Sequence, residues 1–133
     1  MTPDSWSVAA NISTVVACVM AVIAVTSGAI QFIATQKSLQ ETQAVELFLK
    51  FNQLNIDQGL SSNKVSDLWY NNGKFAITES LYNITHESKN WVSTVKWMLD
   101  QQTAFIRSGD FEVESYSLEF RAFCKRHGCE FKS

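Results

Sequence analysis

Between Asp4 and Lys37 the chain carries no charged side chain, a run of 32 residues reading "SWSVAANISTVVACVMAVIAVTSGAIQFIATQ". Nothing else in the sequence restricts the fold as strongly. A helix rises about 1.5 Å per residue, so a hydrocarbon core of about 30 Å takes about 20 apolar residues. Val8 to Ile33 supplies that length with some to spare for tilt. In lipid every peptide group must be bonded within its own segment, which predicts a helix despite the many β-branched Val, Ile and Thr side chains. So long an uncharged run does not suit the buried helix of a small soluble domain. A cleaved leader would open on basic residues and stop at a small-x-small site. Here "MTPDSWS" holds an acid and no base, and the apolar run continues as "IQFIA" past the "SGA" at Ser27 to Ala29. The expected element is an uncleaved transmembrane helix.

The flanking charges predict how it sits. All 11 Lys and Arg lie at or beyond Lys37, and Lys37 and Lys50 follow the apolar run while only Asp4 precedes it. The positive-inside bias then puts the amino terminus outside and the carboxyl-terminal region in the cytoplasm, with Trp6 at the outer interface. Of the 13 acids, 12 also follow the apolar run, so the later region is nearly neutral and the chain as a whole carries −2. No basic face suited to phosphates results, and nucleic acid is not an expected partner. The odd count of three cysteines, Cys18, Cys124 and Cys129, does not suit a secreted disulfide framework and fits a reducing compartment for the later pair.

One line of the predicted span is made of small residues. Alternating steps of four and three from Ala10 meet Thr14, Ala17, Ala21, Ala24, Gly28 and Gln31, then Thr35 and Ser38. That spacing averages about 3.5 residues, the repeat of a left-handed coiled coil. Bulkier Val8, Ile12, Val15, Val19, Val22, Ile23, Ile30 and Ile33 lie away from it. Helices in lipid associate by close backbone approach and interhelical hydrogen bonds, which small residues and a Gln or Thr provide. Ala10, Thr14, Ala17, Ala21, Ala24, Gly28 and Gln31 are therefore the expected helix–helix interface. Its partner is a second copy of the chain or a larger membrane complex. Ala9, Ser13, Cys18 and Thr26 are small residues off this line, so the line is not the sole small-residue row.

Beyond the span the periodicity remains helical, with one Pro and five Gly in the whole chain. The predicted class is all-α. A transmembrane helix (1–36) continues as a helical stalk (37–55) and leads into a small cytosolic helical bundle (56–133). The stalk places Ala44, Leu47, Phe48 and Phe51 on one face, and "NIDQG" is read as its stop. A turn-rich connection is expected over Asn55 to Asn63, then a short helix ending at Asn71-Asn72-Gly73. A long helix is expected from Glu87 to Arg107, with Trp91, Val92, Val95, Met98, Leu99, Gln102, Phe105 and Ile106 on one stripe and Ser108-Gly109 closing it. A last helix from Glu112 to His127 turns Tyr116, Phe120, Phe123 and Cys124 inward, with Gly128 as its cap. Trp97 falls off the main stripe and is a candidate partner contact.

Chemistry is sparse. Cys124, His127 and Cys129 in "CKRHGC" are the one metal-like grouping, but a closed zinc site takes four ligands, and His127-Gly128 reads as a helix stop. No metal or cofactor is assigned. Asp110, Glu112 and Glu114 lack the spacing and Gly of a calcium loop and read as helix-opening acids. His86 reads as a solvated residue at a helix start. No nucleophile elbow, phosphate loop or zincin pattern occurs, so no catalytic residue is assigned and a non-enzymatic protein is expected.

The stretches "QFIATQKSLQETQAVELFLKFNQLN" and "WMLDQQTAFIRSGDFEVESY" resemble a class of small bacterial single-span inner-membrane proteins of unknown function. These combine an uncharged amino-terminal span, a "QK"-type exit and stalk, and an aromatic-rich helical cytosolic domain. The resemblance implies a bacterial inner-membrane location and brings no catalytic residues. The function expected is that of a membrane accessory or scaffold subunit, assembling through the small-residue face and docking a partner with its cytosolic helices. The alternatives are an oligomeric membrane-acting effector or regulator, such as a bacterial defence protein, and an anchored ligand sensor.

Overall fold

A computed structural model describes residues 3–60 and 64–131, with side-chain environments for 13–60 and 67–131. The side chains of Trp6, Val8, Ile12 and Ala10, the first residue of the small-residue line, lie outside the described residues. So do residues 61–63 of the expected connection. Among the described residues the regular structure is all helical, with no strand. The elements are α1 (Pro3–Leu60), α2 (Lys64–Thr85), α3 (Lys89–Asp100), α4 (Thr103–Ile106), a single 3-10 turn (Val113–Ser115) and α5 (Leu118–Arg126). The chain divides into two units, Met1–Leu39 and Gln40–Ser133, and α1 contributes to both.

In the first unit every described side chain from Ser13 to Leu39 is exposed. This apolar amino-terminal part makes α1 a helix long and apolar enough to cross a membrane, with mean hydropathy 2.2 in its most apolar window. Two of its threonine hydroxyls bond the backbone of their own helix. Thr26 Oγ1 donates to the carbonyls of Val22 (2.8 Å) and Ile23 (3.0 Å), and Thr35 Oγ1 donates to Gln31 O at 2.9 Å. Such back-bonding removes the hydroxyl's need for water and leaves only methyls facing out.

The second unit has one apolar core, drawn from α1 and each later helix. Ala44 and Phe51 of α1 are fully buried, with Leu47 and Phe48 packed alongside, as their i, i+3, i+4, i+7 spacing predicts. Phe75 of α2 is the aromatic centre, with Phe111, Tyr116 and Phe120 rings at 4.7, 4.6 and 5.4 Å. Tyr82 adds contacts to Phe120 and Phe123 at 5.4 and 4.6 Å. Offset and edge-on ring pairs of this kind add to what area burial alone contributes.

Four helix boundaries differ from the sequence expectation, each for a tertiary reason. α1 runs on to Leu60 instead of stopping before Asn55, because Asn55 and Gln58 face Lys74 of α2 as hydrogen-bond partners and not as turn formers. α2 runs through Asn71-Asn72-Gly73, since a Cβ on Gly73 would lie 3.4 Å from Leu54 Cδ1; the glycine marks close helix approach. The expected Glu87–Arg107 helix is broken at Gln101-Gln102. There the Gln102 side-chain amide takes the Met98 carbonyl (3.0 Å), while its backbone N–H turns back only as far as Leu99 O at 2.9 Å. The expected Glu112–His127 helix is a 3-10 turn followed by extended Tyr116 and Ser117, whose N–H is captured by Glu79 Oε1 at 2.7 Å, before α5 begins.

Candidate functional site

The predicted interface residues Thr14, Ala17, Ala21, Ala24, Gly28 and Gln31 all lie on α1 and are exposed. Beyond its chain neighbours and the backbone of its own helical turns, nothing described comes within 4 Å of a Cβ built on Gly28. An unpaired α-helix drifts by about 20° per seven residues relative to a 3.5-residue line. These positions therefore form a shallow spiral around α1, which straightens into one seam only when a partner winds with it.

In the second unit α1 has a further exposed apolar face. Val45, Leu49, Ile56 and Leu60 are 46, 60, 58 and 82% exposed, on the side away from Ala44 and Phe51. A shallow groove beside Glu41, Thr42 and Val45 runs along it. Trp97 remains 42% exposed, but its ring also packs against Phe48 and Phe51 at 6.1 and 6.0 Å. Trp91 Nε1 donates to Glu41 Oε2 at 2.8 Å, tying α3 to α1.

Two buried polar clusters escape sequence reasoning. Lys74 Nζ, on a residue only 6% exposed, donates to Asn55 Oδ1 at 3.0 Å and to Gln58 Oε1 at 2.6 Å. Gln58 Nε2 reaches Asp67 Oδ1 (3.2 Å) and Asn71 Oδ1 (3.4 Å) in turn. Burial lowers the Lys74 ammonium below its ordinary pKa, and the Asp67 carboxylate partly opposes that. The second cluster is Gln102, whose Nε2 also donates to Thr78 Oγ1 at 3.0 Å while its Oε1 has no partner. The signal for both lay in α2, where Asp67, Asn71, Lys74 and Thr78 occupy the same helical spacing as the apolar Phe75, Leu81 and Tyr82.

The metal-like grouping does not converge. Among the described residues no three His, Cys, Asp or Glu side chains meet as a cation site. His127 instead lays its ring edge-on against Phe123 at 4.5 Å, where burial, Lys96 and Arg126 lower its pKa. Cys124 and Cys129 do come together, as free thiols close enough for a hydrogen bond between them. That bond and burial raise the Cys124 pKa, whereas the same bond lowers that of Cys129 against its own partial burial. Tyr116, half-buried beside Phe75, is raised by burial and by the Glu79 carboxylate.

No protein-family model, curated protein or solved structure matches the chain. The functional reading therefore rests on the residues themselves.

Proposed function

We propose that this protein is a non-enzymatic, single-span membrane subunit that assembles through α1 and docks a partner with its second unit. The observation that carries the reading is the uncharged, wholly exposed stretch of α1 from Ser13 to Gln36. Exposing that many apolar side chains to water would cost roughly 1.5–3 kcal/mol for each large one, which a bilayer removes. The Lys37 and Lys50 bias favours an exterior amino terminus and a cytoplasmic second unit in a bacterial inner membrane. Within lipid, the Ala10-to-Gln31 line is the surface that lets another helix approach most closely. In the aqueous part, the Val45, Leu49, Ile56 and Leu60 face and Trp97 are apolar area left for a docked partner.

The test is membrane extraction followed by in-membrane crosslinking. The wild-type chain should resist alkaline carbonate and crosslink to itself or to a co-purifying subunit. Ala21→Leu with Gly28→Leu should keep the protein in the membrane and remove the crosslink, since the space at Gly28 is open within one chain. Carbonate extraction of the wild type would overturn the span, and an unchanged crosslink would overturn the interface. The effector alternative is favoured by the amide of Gln31, exposed among apolar residues. It requires that expression depolarise cells and that Gln31→Leu abolish this.

A further inference from the structure

Helix α5 closes in a motif whose two contact positions are both cysteine. Gly128 has φ of 86°, in the left-handed region. Its N–H bonds the Lys125 carbonyl at 3.2 Å, and the Cys129 N–H bonds the Cys124 carbonyl at 3.0 Å. These two nested bonds around a left-handed glycine are the Schellman closure, which folds the residue after the glycine back onto the side chain five positions earlier. An apolar pair usually fills that contact. Here it is filled by Cys124, fully buried, and Cys129, half-buried and packed against the core, near enough that each thiol shifts the other's acidity. The backbone closure thus brings two free thiols side by side.

The two thiols differ in access. Cys124 is sealed in the core, whereas Cys129 lines an open groove of about 590 Å³ between the 3-10 turn and α5. Leu118 and Phe131 give that groove apolar walls, and Arg121 and Lys125 give it two cations. The Arg121 Nε is buried and has no hydrogen-bond partner. Glu130 also lines the groove, and its carboxylate is turned to Arg107 at 3.5 Å. An accessible thiol, a sealed thiol beside it and a cationic rim are the parts that thiol–disulfide exchange with an anionic disulfide needs.

We propose that Cys129 and Cys124 form a redox-active dithiol that exchanges with a small anionic disulfide held in the groove by Arg121 and Lys125. Cys129 first gives its proton to solvent, and its sulfur attacks one sulfur of the incoming disulfide. That disulfide bond breaks, and the first small thiolate leaves and takes up a proton. Cys124 then releases its proton and attacks the Cys129 sulfur, breaking the mixed disulfide; the second small thiolate leaves and is protonated. Two protein thiols are oxidised to one disulfide, and the external disulfide is reduced to two thiols. The order follows from access, since Cys129 lines the groove and Cys124 is sealed in the core, and the lowered pKa of Cys129 agrees with it.

The test uses the full chain in detergent with Cys18→Ser, so that only the pair reacts, and oxidised glutathione as the anionic disulfide. Intact mass after acid quenching reads the products. The Cys18→Ser protein should end as an internal disulfide, lighter by two hydrogens and closed to maleimide. Adding Cys124→Ser should stop the reaction at a glutathione adduct on Cys129, and adding Cys129→Ser should leave Cys124 reduced. Arg121→Gln with Lys125→Gln should slow oxidised glutathione about threefold or more, as expected for partly exposed charges, and leave uncharged hydroxyethyl disulfide unaffected. A stable glutathione adduct on the Cys18→Ser protein would overturn the dithiol. So would Cys124 reacting as fast without Cys129, or both thiols staying reduced in excess oxidant. Equal slowing with both disulfides would overturn the anionic subsite.

Discussion

Among the described residues the Lys74 ammonium hydrogen-bonds two amide oxygens, Asn55 Oδ1 and Gln58 Oε1. A neutral amine still has two N–H donors for those two acceptors, so losing the proton leaves the network whole and removes the desolvation cost. Its pKa is lowered in the fold from an ordinary value of 10.5. Below the folded value, both states are protonated and Lys74 contributes no pH dependence. Between the folded value and 10.5, the unfolded chain binds more protons, so stability rises with pH, by at most about 1.4 kcal/mol per pH unit. Urea unfolding of the wild type and Lys74→Met from neutral pH upward should show the wild type gaining on the variant across that window; parallel curves would exclude a perturbed lysine. Tyr116 titrates in both proteins and cancels in the difference. The sequence signalled only the shared helical spacing of Asp67, Asn71, Lys74 and Thr78 along α2. Asn55 and Gln58 read as turn residues, and only the approach of α2 makes them partners of a buried ammonium.

At the scale of the element, glycine carries two opposite meanings. Gly128 is the stop that its place after His127 suggests, because its left-handed backbone is what an L side chain resists. Gly73 is no stop: it lies within α2, and its missing Cβ accommodates Leu54. The distance there, 3.4 Å to a terminal methyl, is an ordinary contact. Gly73→Ala should therefore gain helix propensity at little steric cost and raise stability by about 0.5–1 kcal/mol, read as a higher urea midpoint. Gly73→Val would press a branched side chain on Leu54 and should lower it. Sequence periodicity placed inward faces well where they are wholly apolar, such as Phe120, Phe123 and Cys124, even though it opened that helix at Glu112 and not at Leu118. It described α3 and α4 as one helix because Gln102 falls on the same stripe as Val95 and Leu99. Only the tertiary position of Thr78 explains why that Gln turns inward and interrupts the backbone ladder.

At the scale of the whole molecule, the two units differ in what they bury. Among the described residues no buried core residue lies before Ala44, and every side chain from Ser13 to Gln43 is exposed. The uncharged run was legible because lipid imposes one simple condition, length without charge. The packing of the second unit was less so, since it depends on which helix faces meet. Because its core draws on α1 only through Ala44, Leu47, Phe48 and Phe51, residues 40–133 should fold without the first unit. Circular dichroism of this fragment should show a single cooperative thermal transition with a midpoint close to that of the full chain in detergent. Starting at residue 52 removes Phe51, which is fully buried and packs on Trp97. Even Phe51→Ala in the 40–133 fragment should cost about 3–5 kcal/mol through lost burial and the cavity left behind, enough to unfold a domain of ordinary stability. A 52–133 fragment as stable as 40–133 would show that α1 only decorates the second unit, whereas loss of the transition on passing residue 51 would make this helix part of its core.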